Sequence, residues 1–155
     1  MITQAVEYSL RAIVVLARGG DRSSTAQQLS ELTEVPAPYL SKLMQTLVRH
    51  ELVQSRRGVN GGFTLARKPE EMTIFDVVQA VEPLKRIRQC PLGFTQHSGT
   101  LCPLHRRLDA AMEMIEVSFR ETTLADLLND PLGPSPLCQR GVPETYELTP
   151  PNAPA

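Results

Sequence analysis

Leu52–Ala66 reads LVQSRRGVNGGFTLA and follows directly on a helix-like run, Tyr39–Glu51. Two short runs of alternating apolar and polar residues flank a tip carrying Gly58, Asn60, Gly61 and Gly62. Asn-Gly between such runs signals a β-hairpin, because a tight turn needs positive φ at its centre. Arg56 and Arg57 stand at the base of that tip. A helix followed by an arginine-bearing hairpin predicts a winged helix-turn-helix: a mainly α fold with a two-stranded wing, suited to duplex DNA.

Toward the N-terminus the pattern stays helical. Val6, Leu10, Ile13, Val14 and Ala17 recur at helical spacing, predicting a first helix over about Thr3–Ala17 stopped by Gly19 and Gly20. Ser24 with Gln27 three residues on forms a capping box for a second helix, which buries Leu29 and Leu32. Val35-Pro36-Ala37-Pro38 is the turn, with Pro38 at the first position of the third helix, where a missing N–H costs nothing. Leu40, Leu43, Met44 and Leu47 form that helix's inner stripe.

Beyond the hairpin, Thr73 caps a helix through Val81, and Pro83 ends it. Residues 83–102 read as a loop. Pro103 opens a long helix with Leu104, Leu108, Ala111, Met112, Ile115 and Phe119 on one stripe, and Thr123 with Asp126 starts a short one. The stripe spans about 25 Å, longer than a winged-helix body needs. It packs either on the first helix or on its copy in a homodimer, the usual state of readers of palindromic sites. Seven of the thirteen prolines fall in 131–155, so that tail is expected to be disordered. The resulting division is a winged-helix DNA-binding domain over 1–82, a Cys/His sensor loop over 83–102, a dimerisation helix with its short successor over 103–130, and the tail.

Composition sets bounds. No stretch nears the roughly 20 apolar residues that span a bilayer, and Glu7 and Arg11 interrupt the N-terminal apolar run, unlike a secretory leader. A cytoplasmic protein with no membrane partner is expected, its cysteines reduced unless a metal holds them. Net charge is −1, but residues 1–68 carry nine Lys/Arg against five Asp/Glu, and 69–155 seven against twelve. A basic half that reads DNA, joined to an acidic half with another task, fits that split.

The outward face of the third helix supplies the candidate DNA contacts. Tyr39, Ser41 and Lys42 lie at its N-terminus, where such helices meet base edges in the major groove; Gln45, Thr46 and Arg49 lie further along, toward the backbone. Arg56 and Arg57 suit a minor groove or phosphates, with Asn60 beside them at the tip. Thr25, Gln27 and Gln28 begin the second helix, where they can donate to phosphate.

Cys90, His97, Cys102 and His105 form a C-x6-H-x4-C-x2-H cluster within one Gly/Pro-containing segment. Thiolates and imidazoles so spaced suit zinc or an iron–sulfur cluster. Cys102 precedes Pro103, so a helix N-terminus favours its thiolate as a ligand and as an oxidisable group. Cys138, in the tail, reads as incidental.

Several stretches together resemble one family: EYSLRAIVVLA (7–17), PYLSKLMQTL (38–47), Gly58-Val59-Asn60-Gly61-Gly62-Phe63, TIFDVVQAVE (73–82), and the CPLG and CPLH pair beginning at Cys90 and Cys102. Over about residues 1–130 the chain is similar to the IscR/NsrR/CymR-type bacterial winged-helix transcription regulators. The resemblance implies a homodimer built on the long helix and, usually, transcriptional repression. Cluster-binding members carry C-x5-C-x5-C, some with a terminal C-x2-H. Cys90 and Cys102 match the outer span and Cys102-Pro103-Leu104-His105 the ending, while the middle cysteine's place is Gln96. Glu7 matches an acidic ligand that some members contribute across the dimer.

Three states of the segment stand open. A two-iron two-sulfur cluster would use Cys90, Cys102 and two of Glu7, His97 and His105. Zinc would use Cys90, His97, Cys102 and His105. Without metal, Cys90 and Cys102 would switch as a dithiol. In each, the change would alter the spacing of two DNA-reading heads, and only by the signal's difference in affinity between states. A winged helix used for protein contact is the alternative class. Enzymatic function is not expected: the chain lacks the H-x-E of zinc deaminases, a nucleophile–base pair and a phosphate-binding motif.

Overall fold

The computed structural model describes residues 2–91, 93 and 100–132. It is mainly helical with one two-stranded antiparallel sheet: α1 (Gln4–Gly19), α2 (Ala26–Thr33), α3 (Ala37–Arg49), β1 (Val53–Arg56), β2 (Gly62–Leu65), a 3₁₀ turn at Pro69–Glu71, α4 (Ile74–Val81), α5 (Pro103–Glu121) and α6 (Leu124–Leu128). The winged helix-turn-helix expected from the hairpin is the observed fold.

Helix starts follow side-chain caps. Thr3 caps α1, and Gly20, at φ 59°, ends it where a side chain would be strained. The cap of α2 is one residue later than expected: Thr25 accepts from Gln28 N while Gln28 Oε1 accepts from Thr25 N. Ser24 is unavailable because its backbone joins the wing, exchanging bonds of 2.9 and 2.8 Å with Phe63. α3 starts at Ala37, with Pro36 as its N-cap. Pro38 is therefore its second residue rather than its first, still within the turn whose N–H groups lack helical partners. α4 starts at the Thr73 cap and α6 at the Thr123–Asp126 pair, as the sequence predicts, and each start is a capping box, the first completed by Asp76.

One core holds the body together. Ile13, Leu16, Leu29, Leu40, Met44, Leu47, Met72, Val77 and Leu124 are all at most 1% exposed. Each such side chain contributes about 1.5–3 kcal/mol of apolar burial. Leu124 brings α6 into this core: its N–H donates to Met72 O at 2.8 Å, and Thr73 pairs with Thr123. α5 contrasts with this, having no buried residue. Leu104 (64%), Leu108 (47%) and Ile115 (44%) of the expected stripe stay exposed, together with Met114 and Val117. Met112 and Phe119 instead help to line a cleft of about 440 Å³ with Ile2, Val6, Val78 and Val81. α5 thus meets its own body along one side only.

Candidate nucleic-acid interface

α3 presents its inner stripe to the core and leaves Tyr39, Lys42, Gln45 and Arg49 exposed on the other side. Glu51, at φ 57°, turns the chain from α3 into β1. The strands pair Val53 with Leu65, Gln54 with Thr64, Ser55 with Phe63 and Arg56 with Gly62. The loop between them closes with Gly61 N–H donating to Gly58 O at 2.9 Å.

Positive φ in the hairpin falls at Gly58 and Gly62, not at Asn60 and Gly61. The Asn-Gly centre expected of a two-residue turn is corrected accordingly: 57–61 lie between the strands, so a wider loop replaces the tight one. The glycines matter through close approach as well. A Cβ on Gly61 would lie 2.5 Å from Arg56 O, and one on Gly62 2.7 Å from Ser24 O. Ser23 Oγ donates to Asn60 O at 2.8 Å, tying the tip to the α1–α2 connection. Ser23 carried no sequence signal for this role.

The candidate contacts differ in readiness. Lys42, Gln45, Arg57 and Asn60 are exposed. Tyr39 is 39% exposed, with its ring edge-on to Tyr8 at 5.9 Å between centroids. The Ser41 hydroxyl donates to Ala37 O, and Gln28 is engaged in the α2 capping box. Thr46 receives a bond from Arg49 at 3.0 Å. Arg56 lines a cleft of about 480 Å³ with Gln54, Thr64, Arg67 and Lys68, whereas Arg57 opens the tip. The two neighbouring arginines therefore serve different surfaces of the wing.

In the Cys/His segment, Cys102 is the N-cap of α5 and its Sγ lies 3.3 Å from His105 Nδ1. Two ligands on one tetrahedral zinc, at the usual Zn–S and Zn–N lengths, lie about 3.5 Å apart, so this pair fits a shared metal. Cys90 is half-buried, and His97 lies outside the described residues, as do 133–155 with Cys138. Among the described residues no three His, Cys, Asp or Glu side chains come together as a metal site. Glu7 is held by Arg11 at 2.6 Å, and Arg11 also donates to Thr33 O at 3.0 Å, at the end of α2. The Glu7–Arg11 spacing is a legible helical ion pair; its reach to α2 was not.

Arg86 binds Asp109 through two bonds of 2.7 Å, and Ile87 N–H donates to the same carboxylate. The Arg86 guanidinium holds Asp109 well below the usual carboxylate range, down to about 2, with burial opposing. Asp109 in turn raises Arg86. This strut fixes the stretch leading to Cys90 against α5. No sequence pattern announced it, because the partners are 23 residues apart.

A helix exposing cations beside a glycine-shaped, arginine-bearing wing defines a DNA-binding winged helix-turn-helix regulator. The chain belongs to the Rrf2 family, described as iron-dependent transcriptional regulators, which matches residues 2–130. It is 28% identical over 132 residues to a helix-turn-helix-type transcriptional regulator of Aquifex aeolicus, covering 83% of this chain and 92% of that one. A Mycobacterium tuberculosis regulator of the same type is 35% identical over 128 residues, covering 78% and 76%. Among solved structures, T. potens IscR aligns with TM-score 0.69 and 26% identity over 84% of this chain and 87% of that one. CymR, the global cysteine regulator of B. subtilis, shares the fold at TM-score 0.69 and 23% identity, over 82% and 95%. These relatives are transcription regulators rather than enzymes. Among the described residues no helix is long and apolar enough to cross a membrane.

Proposed function

We propose that the protein is a cytoplasmic homodimeric repressor that binds duplex DNA sequence-specifically and is controlled through its Cys/His segment. The observation that carries the DNA reading is the exposure of Lys42 and Gln45 on α3 and of Arg57 and Asn60 at the wing tip. The first set reads base edges or nearby backbone in the major groove, and Arg57 enters a minor groove or clamps phosphate. Residues 1–82 form the reading domain, and 103–130 supply the dimer contact through Leu104, Leu108 and Ile115. A regulator bound over a promoter represses by occupying it.

Control rests on the fit of Cys102 and His105 to a shared metal. With Cys90, and with His97 or Glu7 contributed across the dimer, they would complete the ligand set of a two-iron two-sulfur cluster. Such a cluster, when bound, supplies a redox-sensitive change of charge and ligation. The chain's own residues carry the response. Arg11 bridges Glu7 to the end of α2. Drawing Glu7 into a ligand shell would free Arg11 and change its hold on the helix-turn-helix. The second reading, zinc on Cys90, His97, Cys102 and His105, is favoured by the same Cys102–His105 pair.

The deciding experiment is anaerobic purification with an ultraviolet–visible spectrum and metal and sulfide analysis, followed by DNA titration. Visible absorption with iron and sulfide establishes the cluster, and one zinc per chain without colour establishes the alternative. Metal-free protein with full DNA affinity removes both. Failure of the metal-replete protein to bind DNA removes the repressor reading.

A further inference from the structure

Arg56 and Arg57 are neighbours in sequence, but successive strand residues point to opposite faces of a sheet. By register Arg56 shares its face with Gln54 and with Thr64, the residue opposite Gln54. All three line the cleft of about 480 Å³. The end of α1 adds Ala17, Gly20 and Asp21 to that lining, and the stretch after β2 adds Arg67, Lys68 and Glu71. Its volume lies within the roughly 300–1,000 Å³ of small-molecule sites.

Thr64 is only 7% exposed, and its hydroxyl has no hydrogen-bond partner among the described residues. It is not sealed off like the Ser9 and Ser24 hydroxyls, so it opens into the cleft that it lines. A polar group withdrawn this far from bulk water calls for a partner, and the cleft is the place for one.

The charges of the lining are of both signs. Arg67 is paired with Asp76 at 3.5 Å and donates to Glu71 O. Arg56, Lys68, Asp21 and Glu71 are exposed, and none of the four forms an ion pair among the described residues. Two cations and two carboxylates cancel. A DNA phosphate placed here would meet both carboxylates, so the cleft does not suit a polyanion. It suits a small molecule that carries both charges. The C-terminal end of α1 adds partial negative charge beside Asp21, which favours an ammonium group. Arg56 offers the forked donor that a carboxylate takes best, and Leu65 and Pro69 add apolar surface.

We propose that this cleft binds a free amino acid. Arg56 and Lys68 hold the carboxylate, Asp21 and Glu71 hold the ammonium, and Thr64 and Gln54 supply neutral hydrogen bonds. No residue of the Cys/His segment lines the cleft, so the inference stands apart from the control proposed for that segment.

The test uses the full chain and an equimolar mixture of the twenty free α-amino acids, each at about 1 mM. A ligand that binds only the folded state raises the thermal midpoint in proportion to its concentration over Kd. The mixture should raise the midpoint, and single amino acids should then identify the ligand for titration calorimetry. Inorganic phosphate and methylamine, each carrying one of the two charges, should bind far more weakly. Lys68→Gln and Asp21→Asn should each weaken binding about tenfold, the loss of one charge-assisted bond. Thr64→Val should weaken it less, and Glu121→Gln, outside the cleft, should leave it unchanged. Three results overturn the proposal: no shift with the mixture, phosphate alone binding as tightly as any amino acid, or wild-type affinity in Lys68→Gln and Asp21→Asn proteins with wild-type circular dichroism.

Discussion

Arg86 and Asp109 face each other through two parallel hydrogen bonds, Nε to Oδ1 and Nη2 to Oδ2, each 2.7 Å long. Their side chains are 13% and 14% exposed, so the pair is sheltered from the screening that weakens surface ion pairs. It is the join between the segment approaching Cys90 and the long helix.

The first prediction concerns acid. Asp109 has a folded-state pKa of about 2, below its unfolded value. Its contribution is therefore present above the ordinary carboxylate range and is lost as pH falls through that range toward about 2. Asp109→Asn should be less stable than wild type at neutral pH, and the gap should close as acid is added. Urea melts across that range check this. Faster amide exchange at Ile87 in the variant would locate the loss.

Wing geometry gives the second. Gly61→Ala and Gly62→Ala force a Cβ to within 2.7 Å of a carbonyl oxygen, and Gly62 also sits at φ 148°. Each should cost about 1–3 kcal/mol and weaken DNA binding by displacing the tip. Val59→Ala, at an 80% exposed tip position, should stay within about 0.5 kcal/mol of wild type. Denaturant melts and DNA titrations of the three proteins make the comparison.

A third prediction separates reading from clamping. Lys42→Ala and Arg57→Ala should each reduce DNA affinity with little effect on thermal stability, because both side chains are exposed. A phosphate contact reveals itself by a salt slope shallower by about 1, and a base contact by relaxed preference at one position. Binding to variant operators at several salt concentrations tells which role each residue has.

Opposite faces of the fold supply the fourth. Leu40→Ala empties a fully buried position and should cost about 2–5 kcal/mol. Leu104→Asp/Leu108→Asp alters side chains that are 64% and 47% exposed in one chain. It should leave the monomer folded and abolish the proposed dimer. Sedimentation velocity beside urea melts distinguishes the two outcomes.

What the sequence made legible was local. The apolar spacing of Leu40, Leu43, Met44 and Leu47 and the glycine-rich tip are enough to identify α3 and the wing. Thr73 and the Thr123–Asp126 pair announced their helices. The α2 cap moved from Ser24 to Thr25 because a long-range bridge to Phe63 claimed the serine's backbone, and such pairing leaves no periodic trace. Asn60-Gly61 suggested a tight turn, but contacts to Arg56 and Ser24 set the demand for glycine. Of the Cys/His group, Cys102 and His105 meet across three residues at the start of α5, a local contact that the C-x2-H spacing permits. Spacing could not foretell that Arg86 would reach across to Asp109.

The exchange of backbone bonds between Ser24 and Phe63 has a mechanical corollary. It rivets the wing to the connection just ahead of α2, so wing and helix-turn-helix form a calliper with no joint of its own. A signal cannot regulate such a tool by bending its jaws. In the proposed dimer, it must act by changing where one calliper stands relative to its twin.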